Sequence, residues 1–534
     1  MADRRIAQRL GLWPFVNDPV PLWVACAIAA LAIIHYVWLV LLPHAALVCF
    51  IPDDAFYELQ IARHFLSTGK WSFDGGYTTT TGFHLLNVYL MSVAPWLLNH
   101  PWLAIRFWMA IGLTVSILGV FTITAFVDKK FGHFALVPTF LILTAPSFTL
   151  QSTGLLEYPY VILIASLYLN AIFSWRGERG SMLLGIFVLG FLGSVARSDF
   201  GGLPLAISLI CSIAYILNRH REYLLRSLCG LAGAALGLAF DFLHNFLFSG
   251  HFLSGSAMTK ALWGKRVGYS AARPIVLLLF TLSSSTVALM LFLVSFFIVL
   301  AIRLWITGNR GKAPTLEHKE IDNGDRALLA ICGLCAMILY LLVYGAVASF
   351  QPWYTVNLII PMVLVLGAAS NLVVSDRMMR AYIVGTVALL ATANIVKTYQ
   401  PVWNFQRYMM EMAEYLQDRP LPGRIGGWNV GIVGYLTDGK IINLDGLMND
   451  QIYPYALAGT VEQYIDQAKI KHLIDFPSQI EDPKLSEVLG FDGKSVAARL
   501  RPEHAILSTD RNDTWSDYTL FEIVDPSSKS LAKP

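Results

Sequence analysis

Runs of apolar residues long enough to cross a bilayer recur along most of the chain, separated by short polar stretches. Requiring about 20 residues per span, and allowing shorter runs whose ends neighbours can cover, the pattern predicts about eleven transmembrane helices. They lie near 22–42, 104–127, 133–150, 157–174, 181–195, 201–217, 227–247, 274–303, 327–348, 355–373 and 380–396. Residues 84–98, HLLNVYLMSVAPWLL, are also apolar, but as a span they would reverse the side of every later loop; they predict an interfacial helix instead. After residue 397 the pattern changes to short β-like runs, RIGGWN, KIINLD, KHLIDF, HAILS and DYTLFEIV, interleaved with the helix-like TVEQYIDQAKI. Strands alternating with helices predict a small α/β domain outside the membrane. The expected organisation is a transmembrane domain over 1–396, with a long first outer loop at 43–103, and an extramembrane α/β domain over 397–534. An ordered loop of that length is more often functional than a spacer.

Composition agrees with this reading. Of 534 residues, 56% are hydrophobic and 14% charged, against about 25% charged in soluble domains, so the chain reads as a polytopic α-helical membrane protein. A net charge of +3 gives no reason to expect nucleic acid as a partner. Lys and Arg matter through their placement. Arg4, Arg5 and Arg9, Lys129 and Lys130, Arg176 and Arg179, NRHREYLLR at 218–226, the stretch from Arg303 to Arg326, and Arg377 with Arg380 all fall on one side of the predicted spans. Cytoplasmic loops are enriched in such residues. The expected topology therefore has a cytoplasmic N-terminus, with 43–103, the loop near 247–273 and everything after about 397 outside. The six cysteines lie in or beside apolar segments, and Cys332-x-x-Cys335 has no second pair to complete a zinc site, so packing is the expected role.

The candidate chemistry gathers in the first outer loop. Asp53 and Asp54 follow Pro52 and precede an amphipathic helical pattern. An Asp there can cap the helix; alternatively one carboxylate takes a proton from an acceptor hydroxyl while its neighbour holds it in place. Arg63, FDGG at 73–76, TTTTGFH at 78–84, Trp71 and Tyr77 add a polar, hydrogen-bonding surface.

The order D-D-A-F-Y, A-R, G, F-D-G-G, T-G-F-H resembles the first outer loop of GT-C-fold glycosyltransferases, integral membrane enzymes that use polyprenyl-linked sugar donors. The likeness extends to uncharacterised bacterial and archaeal members and, more loosely, to the mycobacterial arabinofuranosyltransferases, the protein mannosyltransferases and the aminoarabinose transferases. It implies a catalytic base at Asp53 or Asp54. GLLEYP at 154–159 resembles the family's G-L-E element through Glu157, and ARSD at 196–199 its A-R-x-D element through Arg197 and Asp199. The loop NFLFSGHFLSGSAMTKALWGKRVG resembles an N…G…S…K element, which carries a donor-phosphate contact to Lys260, with Arg266, Arg63 and His84 as further cationic candidates. QPWY at 351–354 resembles a W-Y element and makes Trp353 and Tyr354 substrate-contact candidates; an interfacial aromatic belt would account for them almost as well. GGWNVGIVGYLTDGKIINLDGLMND at 426–450 resembles a segment these relatives carry after their last span, with Trp428 as a sugar-contact candidate. The Glu-Lys-Pro element of the aminoarabinose transferases is replaced here by Thr-Gly-Phe-His. The W-W-D-Y-G element of the metal-bearing oligosaccharyltransferases is absent, so neither a divalent metal nor another cofactor is expected.

The function these resemblances imply is inverting transfer of a single sugar from a polyprenyl-phosphate donor to a glycan, lipid or protein acceptor at the outer, periplasmic face of a bacterial inner membrane. A transporter or flippase of lipid-linked sugars is the alternative from another class. It would place charges near the middle of its spans, whereas most ionisable residues here gather in one loop and on one face.

Overall fold

The structure is a computed structural model, and it describes residues 19–175, 180–217, 221–268, 323–346, 352–370, 377–419, 421–507 and 517–524. Six of its helices are long and apolar enough to cross a membrane, or up to seven if one bent pair counts as a single span, and the chain is an integral membrane protein. The long helices include Pro19–Leu41, Pro101–Phe131, Arg221–Ser249, Asn323–Ala346 and Arg377–Thr398. Three shorter apolar helices, Tyr158–Phe173, Gly180–Ala196 and Val356–Ser370, pack among them. Ten of the eleven predicted spans thus fall on apolar helices; the eleventh, 274–303, lies outside the described residues. The segment predicted at 133–150 is not straight but bends by 68° between His133–Leu143 and Pro146–Ser152. Its cause is Pro146, which drives Ala145 into extended backbone and ends the first helix. Residues 84–98 form two short helices, Leu85–Met91 and Pro95–Leu98, rather than a span.

All five predicted strands form, β1 (Arg424–Gly427), β2 (Ile441–Asn443), β3 (Ile470–Asp475), β4 (Leu500–Leu507) and β5 (Asp517–Ile523), and they make one sheet in the order β2-β1-β3-β5-β4. β1 lies between β2 and β3, parallel to both, with Ile425 opposite Ile441 and His472. β5 and β4 complete it in antiparallel fashion. Trp428, Ile442, Leu444, Val461, Ile465, Leu473 and Phe491 pack a core on this sheet.

The sheet region does not stand apart from the first loop. The loop helix Asp53–Thr68 packs against the short helix Gly431–Leu436, and the Asp450 N–H donates to the Thr79 carbonyl at 3.1 Å. The Asp450 carboxylate accepts from the Thr81 hydroxyl at 2.9 Å, and the Thr81 hydroxyl accepts from the Gly255 N–H, also at 2.9 Å. Three distant stretches of sequence are thereby locked together. The seam has no spare room, because a Cβ on Gly82 would lie 1.7 Å from the Leu447 carbonyl oxygen. Gly82→Ala should therefore force the two segments apart and cost about 1–3 kcal/mol, the usual range for overpacking. The expected result is a lower melting temperature in detergent and faster proteolysis within 395–524; an unchanged melting curve would show that the seam is loose.

Candidate active site

At the end of the helix bundle where the loop, the sheet region and the helix Gly255–Val267 meet, a cleft of about 890 Å³ opens to solvent. Asp54, Glu58, His84, Arg197, Asp241, Lys260 and Tyr354 supply its polar wall, and Leu447 and Met448 of the sheet region close one side.

The two adjacent aspartates part company here. Successive residues of a helix point about 100° apart, so Asp53 and Asp54, both in the first turn of the loop helix, face different surroundings. Asp53 turns to the sheet region, where its two carboxylate oxygens accept from the N–H groups of Gly431 (2.9 Å) and Ile432 (2.8 Å). Burial pushes its carboxyl up to about 7 against the pull of those two N–H groups. Asp54 turns into the cleft, and among the described residues its carboxylate accepts no hydrogen bond. Burial raises its pKa, while Lys260 and His84 pull it down.

Glu58 is one helical turn beyond Asp54 and shares its face. Its Oε1 lies 2.6 Å from His84 Nδ1 and accepts from the His84 backbone N–H at 3.2 Å; Asn87 Nδ2 donates to Oε2. His84 Nδ1 is also 3.1 Å from Glu157 Oε2. On its other oxygen Glu157 accepts from Arg197 at 2.5 Å, and Arg197 holds Asp199 through Nε (2.7 Å) and Nη2 (3.1 Å). The Tyr344 hydroxyl donates to Asp199 at 2.9 Å, and Asn357 Nδ2 donates to that hydroxyl at 2.8 Å. One continuous network therefore runs from the loop helix to the far wall of the bundle. Because Glu157 is fully buried, its charge is tolerated only through these partners.

Lys260 enters from the helix Gly255–Val267, whose N-terminus is capped by the Ser254 hydroxyl accepting from the Ala257 N–H at 3.2 Å. The Tyr354 ring has two cations within cation–π distance, Lys260 Nζ at 5.7 Å and the Arg197 guanidinium carbon at 5.6 Å. Burial lowers the Lys260 ammonium, but Tyr354 and Asp54 outweigh it and the net shift is upward. The Lys260 ammonium thus holds its proton more tightly in the same cleft that the Asp54 carboxyl faces.

Of the residues singled out from the sequence, the structure brings together Asp54, His84, Glu157, Arg197, Asp199, Lys260 and Tyr354. Three others lie elsewhere and correct the sequence expectation. Arg63 stacks 4.4 Å above the Tyr435 ring and donates to the Leu98 carbonyl (3.0 Å) and Asp438 (3.3 Å), so it clamps the loop helix to the sheet region. Arg266 is likewise committed to main-chain carbonyls, those of Val488 (2.8 Å) and Ala456. Trp428 is fully buried against Phe491, with ring centroids 4.7 Å apart, and cannot touch a sugar. The Trp353 side chain lies outside the described residues. Sequence reasoning missed Glu58, Asn87, Tyr344 and Asn357; only Glu58 carried a signal, its i+4 spacing from Asp54.

By its likeness to solved structures, this bundle of apolar helices with loops and a small α/β region closing over one cleft is a membrane protein of GT-C fold. Among solved structures the chain is similar to ArnT from Cupriavidus metallidurans bound to undecaprenyl phosphate, at 12% identity over 96% of this chain and 99% of that one, with a TM-score of 0.53. It is also similar to the archaeal oligosaccharyltransferase AglB from Archaeoglobus fulgidus in complex with an inhibitory peptide and a dolichol-phosphate, at 12% identity over 94% and 74% of the two chains, with a TM-score of 0.51. At such identity the likeness is one of fold. Residues 395–522 match a family model described as a domain of unknown function, DUF8728. No curated protein matches the sequence.

Proposed function

We propose that the protein is an inverting glycosyltransferase that moves one sugar from a polyprenyl-phosphate donor to a hydroxyl of a glycan, lipid or protein acceptor. The observation that carries this is the Asp54 carboxylate, which accepts no hydrogen bond among the described residues, sharing one cleft with the Lys260 ammonium. The fold neighbours, solved with undecaprenyl phosphate and with a dolichol-phosphate and a peptide, support the lipid-phosphate donor class. Asp54 takes the proton of the acceptor hydroxyl while that oxygen bonds to the anomeric carbon and the bond from this carbon to the phosphate oxygen breaks. Lys260 receives the charge that develops on the leaving phosphate, and the Arg197 and Tyr354 side chains stand beside it. One displacement inverts the anomeric centre. The distribution of Lys and Arg supports a cytoplasmic N-terminus and a cleft on the outer face of a bacterial inner membrane. Residues 1–396 would form the transmembrane domain and 397–534 the extramembrane one. Arg63, Arg266 and Trp428 have no part in this scheme, being committed to other contacts.

The test is release of free polyprenyl phosphate by the purified protein from a panel of polyprenyl-phosphate sugars, with a membrane extract as acceptor. Release should fall on the acid side, because the base must be ionised and burial holds the Asp54 carboxyl above its ordinary range. Lys260 pulls that carboxyl down, so Lys260→Met should move the acid limb to higher pH, besides weakening donor binding by about 1.5–3 kcal/mol. No release from any donor would remove the transferase reading and favour transport. An acid limb unmoved by Lys260→Met would take Lys260 out of the neighbourhood of the base.

A further inference from the structure

Beside the proposed reacting groups lies a second convergence of donor atoms that the transfer scheme does not use. Glu58, His84 and Glu157 each aim one ligand atom at a common point, and these atoms all lie within 4.8 Å of one another. His84 Nδ1 is 2.6 Å from Glu58 Oε1 and 3.1 Å from Glu157 Oε2. A ring nitrogen carries at most one hydrogen, so it can satisfy only one of these oxygens. Glu157 Oε2 is the one left over, a fully buried oxygen that accepts no hydrogen bond among the described residues. Each carboxylate has its other oxygen held from behind, Glu58 Oε2 by Asn87 and Glu157 Oε1 by Arg197. Outer groups that fix a ligand's rotamer in this manner are the usual support of a metal centre.

We infer that Glu58, His84 and Glu157 form a binding site for one divalent first-row transition cation. The donor set of two carboxylates and one imidazole suits zinc or manganese rather than the all-oxygen shells of calcium and magnesium. A bound cation would satisfy both converging oxygens at once, which the imidazole cannot do. Glu58 and His84 line the cleft, so a cation held by them would add positive charge on the side of the cleft where Lys260 and Arg197 already stand. That use of the charge, toward a lipid phosphate, rests on the transferase reading; the site itself does not. The sequence expectation of no metal came from a missing oligosaccharyltransferase element, and neither Glu58 nor His84 belongs to that element.

The full-length protein in detergent, stripped with a chelator and then equilibrated with Mn²⁺ alone, should bind one ion per chain by elemental analysis. Pulsed electron paramagnetic resonance should show coupling of that ion to a nitrogen. Glu58→Gln, which keeps size and the Asn87 neighbour, should weaken Mn²⁺ binding at least tenfold. Should His84→Gln fail to fold, the nitrogen coupling in the wild type still tests the histidine. Less than stoichiometric Mn²⁺, a bound ion without nitrogen coupling, or Glu58→Gln binding as wild type would each overturn the site. Because no sugar donor is present, failure here leaves the transferase reading intact, and absence of polyprenyl phosphate release leaves the metal site intact.

Discussion

Asp54→Asn should abolish sugar transfer, whereas Asp53→Asn should leave transfer measurable and loosen the protein instead. The two carboxylates are neighbours in sequence, yet the helix sends them to opposite tasks. Asp54 faces the cleft with no hydrogen bond among the described residues and Lys260 nearby, so replacing it removes a carboxylate that can take a proton without breaking the network behind it, and one that, unlike Asp241 on the same wall, is drawn down by the lysine. Loss of a general base lowers turnover by about 10²–10⁴-fold, and KM for the donor should change little, since the lysine remains. Asp53 has both oxygens occupied by the N–H groups of Gly431 and Ile432. An amide there keeps one acceptor but turns an NH₂ towards the second N–H, leaving a buried donor unsatisfied at a cost of about 1–3 kcal/mol. A thermal melt and a turnover measurement on both variants separate these outcomes. Transfer lost in Asp53→Asn and retained in Asp54→Asn would reverse the assignment, and equal loss in both with normal melting would make the pair act as a unit.

Much of this arrangement is legible in the amino-acid sequence. Ten of the apolar runs mark helical stretches among the described residues, because a bilayer demands long uninterrupted apolar stretches, and short runs mark all five strands. The bend at Pro146 is readable too, since proline displaces the residue before it from helical backbone. The fate of Arg63 is also calculable. It follows Asp54 by nine residues, which at about 100° each puts it about 180° away on the helix, while Glu58 at i+4 is only about 40° away. Similarly Arg266 follows Lys260 by six residues, about 240° round its helix. Counting cations in a loop ignores this geometry and overstates how many can reach one phosphate. By contrast, Glu157 meeting His84 and Arg197, or Tyr344 meeting Asp199, joins residues on separate helices. No local periodicity encodes which helix faces which. Trp428 misleads for a related reason: β1 is flanked by strands on both sides, so the residue following it enters the core rather than the cleft.

Arg197→Met should produce the largest loss of stability of any single change in the cleft. The guanidinium is the hub of the network, joined to Glu157 by one nitrogen and to Asp199 by two others. Removing it leaves Glu157, which is fully buried, with His84 as its only remaining charged neighbour within ion-pair distance among the described residues. Breaking a buried pair from one side costs about 3–5 kcal/mol, far more than the pair contributes relative to an apolar substitute, because the abandoned charge cannot reach water. That asymmetry makes a second variant informative. Arg197→Met with Glu157→Gln removes the stranded charge and should recover part of the melting temperature, though not transfer. Arg197→Lys keeps the charge but loses the planar fork that spans both carboxylates, so it should fall between wild type and Arg197→Met. If Arg197→Met instead melts like wild type while turnover collapses, the arginine acts on the substrate and the network is held by His84 and Tyr344. If the double variant is no more stable than the single, the stranded charge is not the source of the loss, and packing of the arginine stem against Tyr158 and Tyr354, whose rings lie 5.9 and 5.6 Å from the guanidinium carbon, takes its place as the cause.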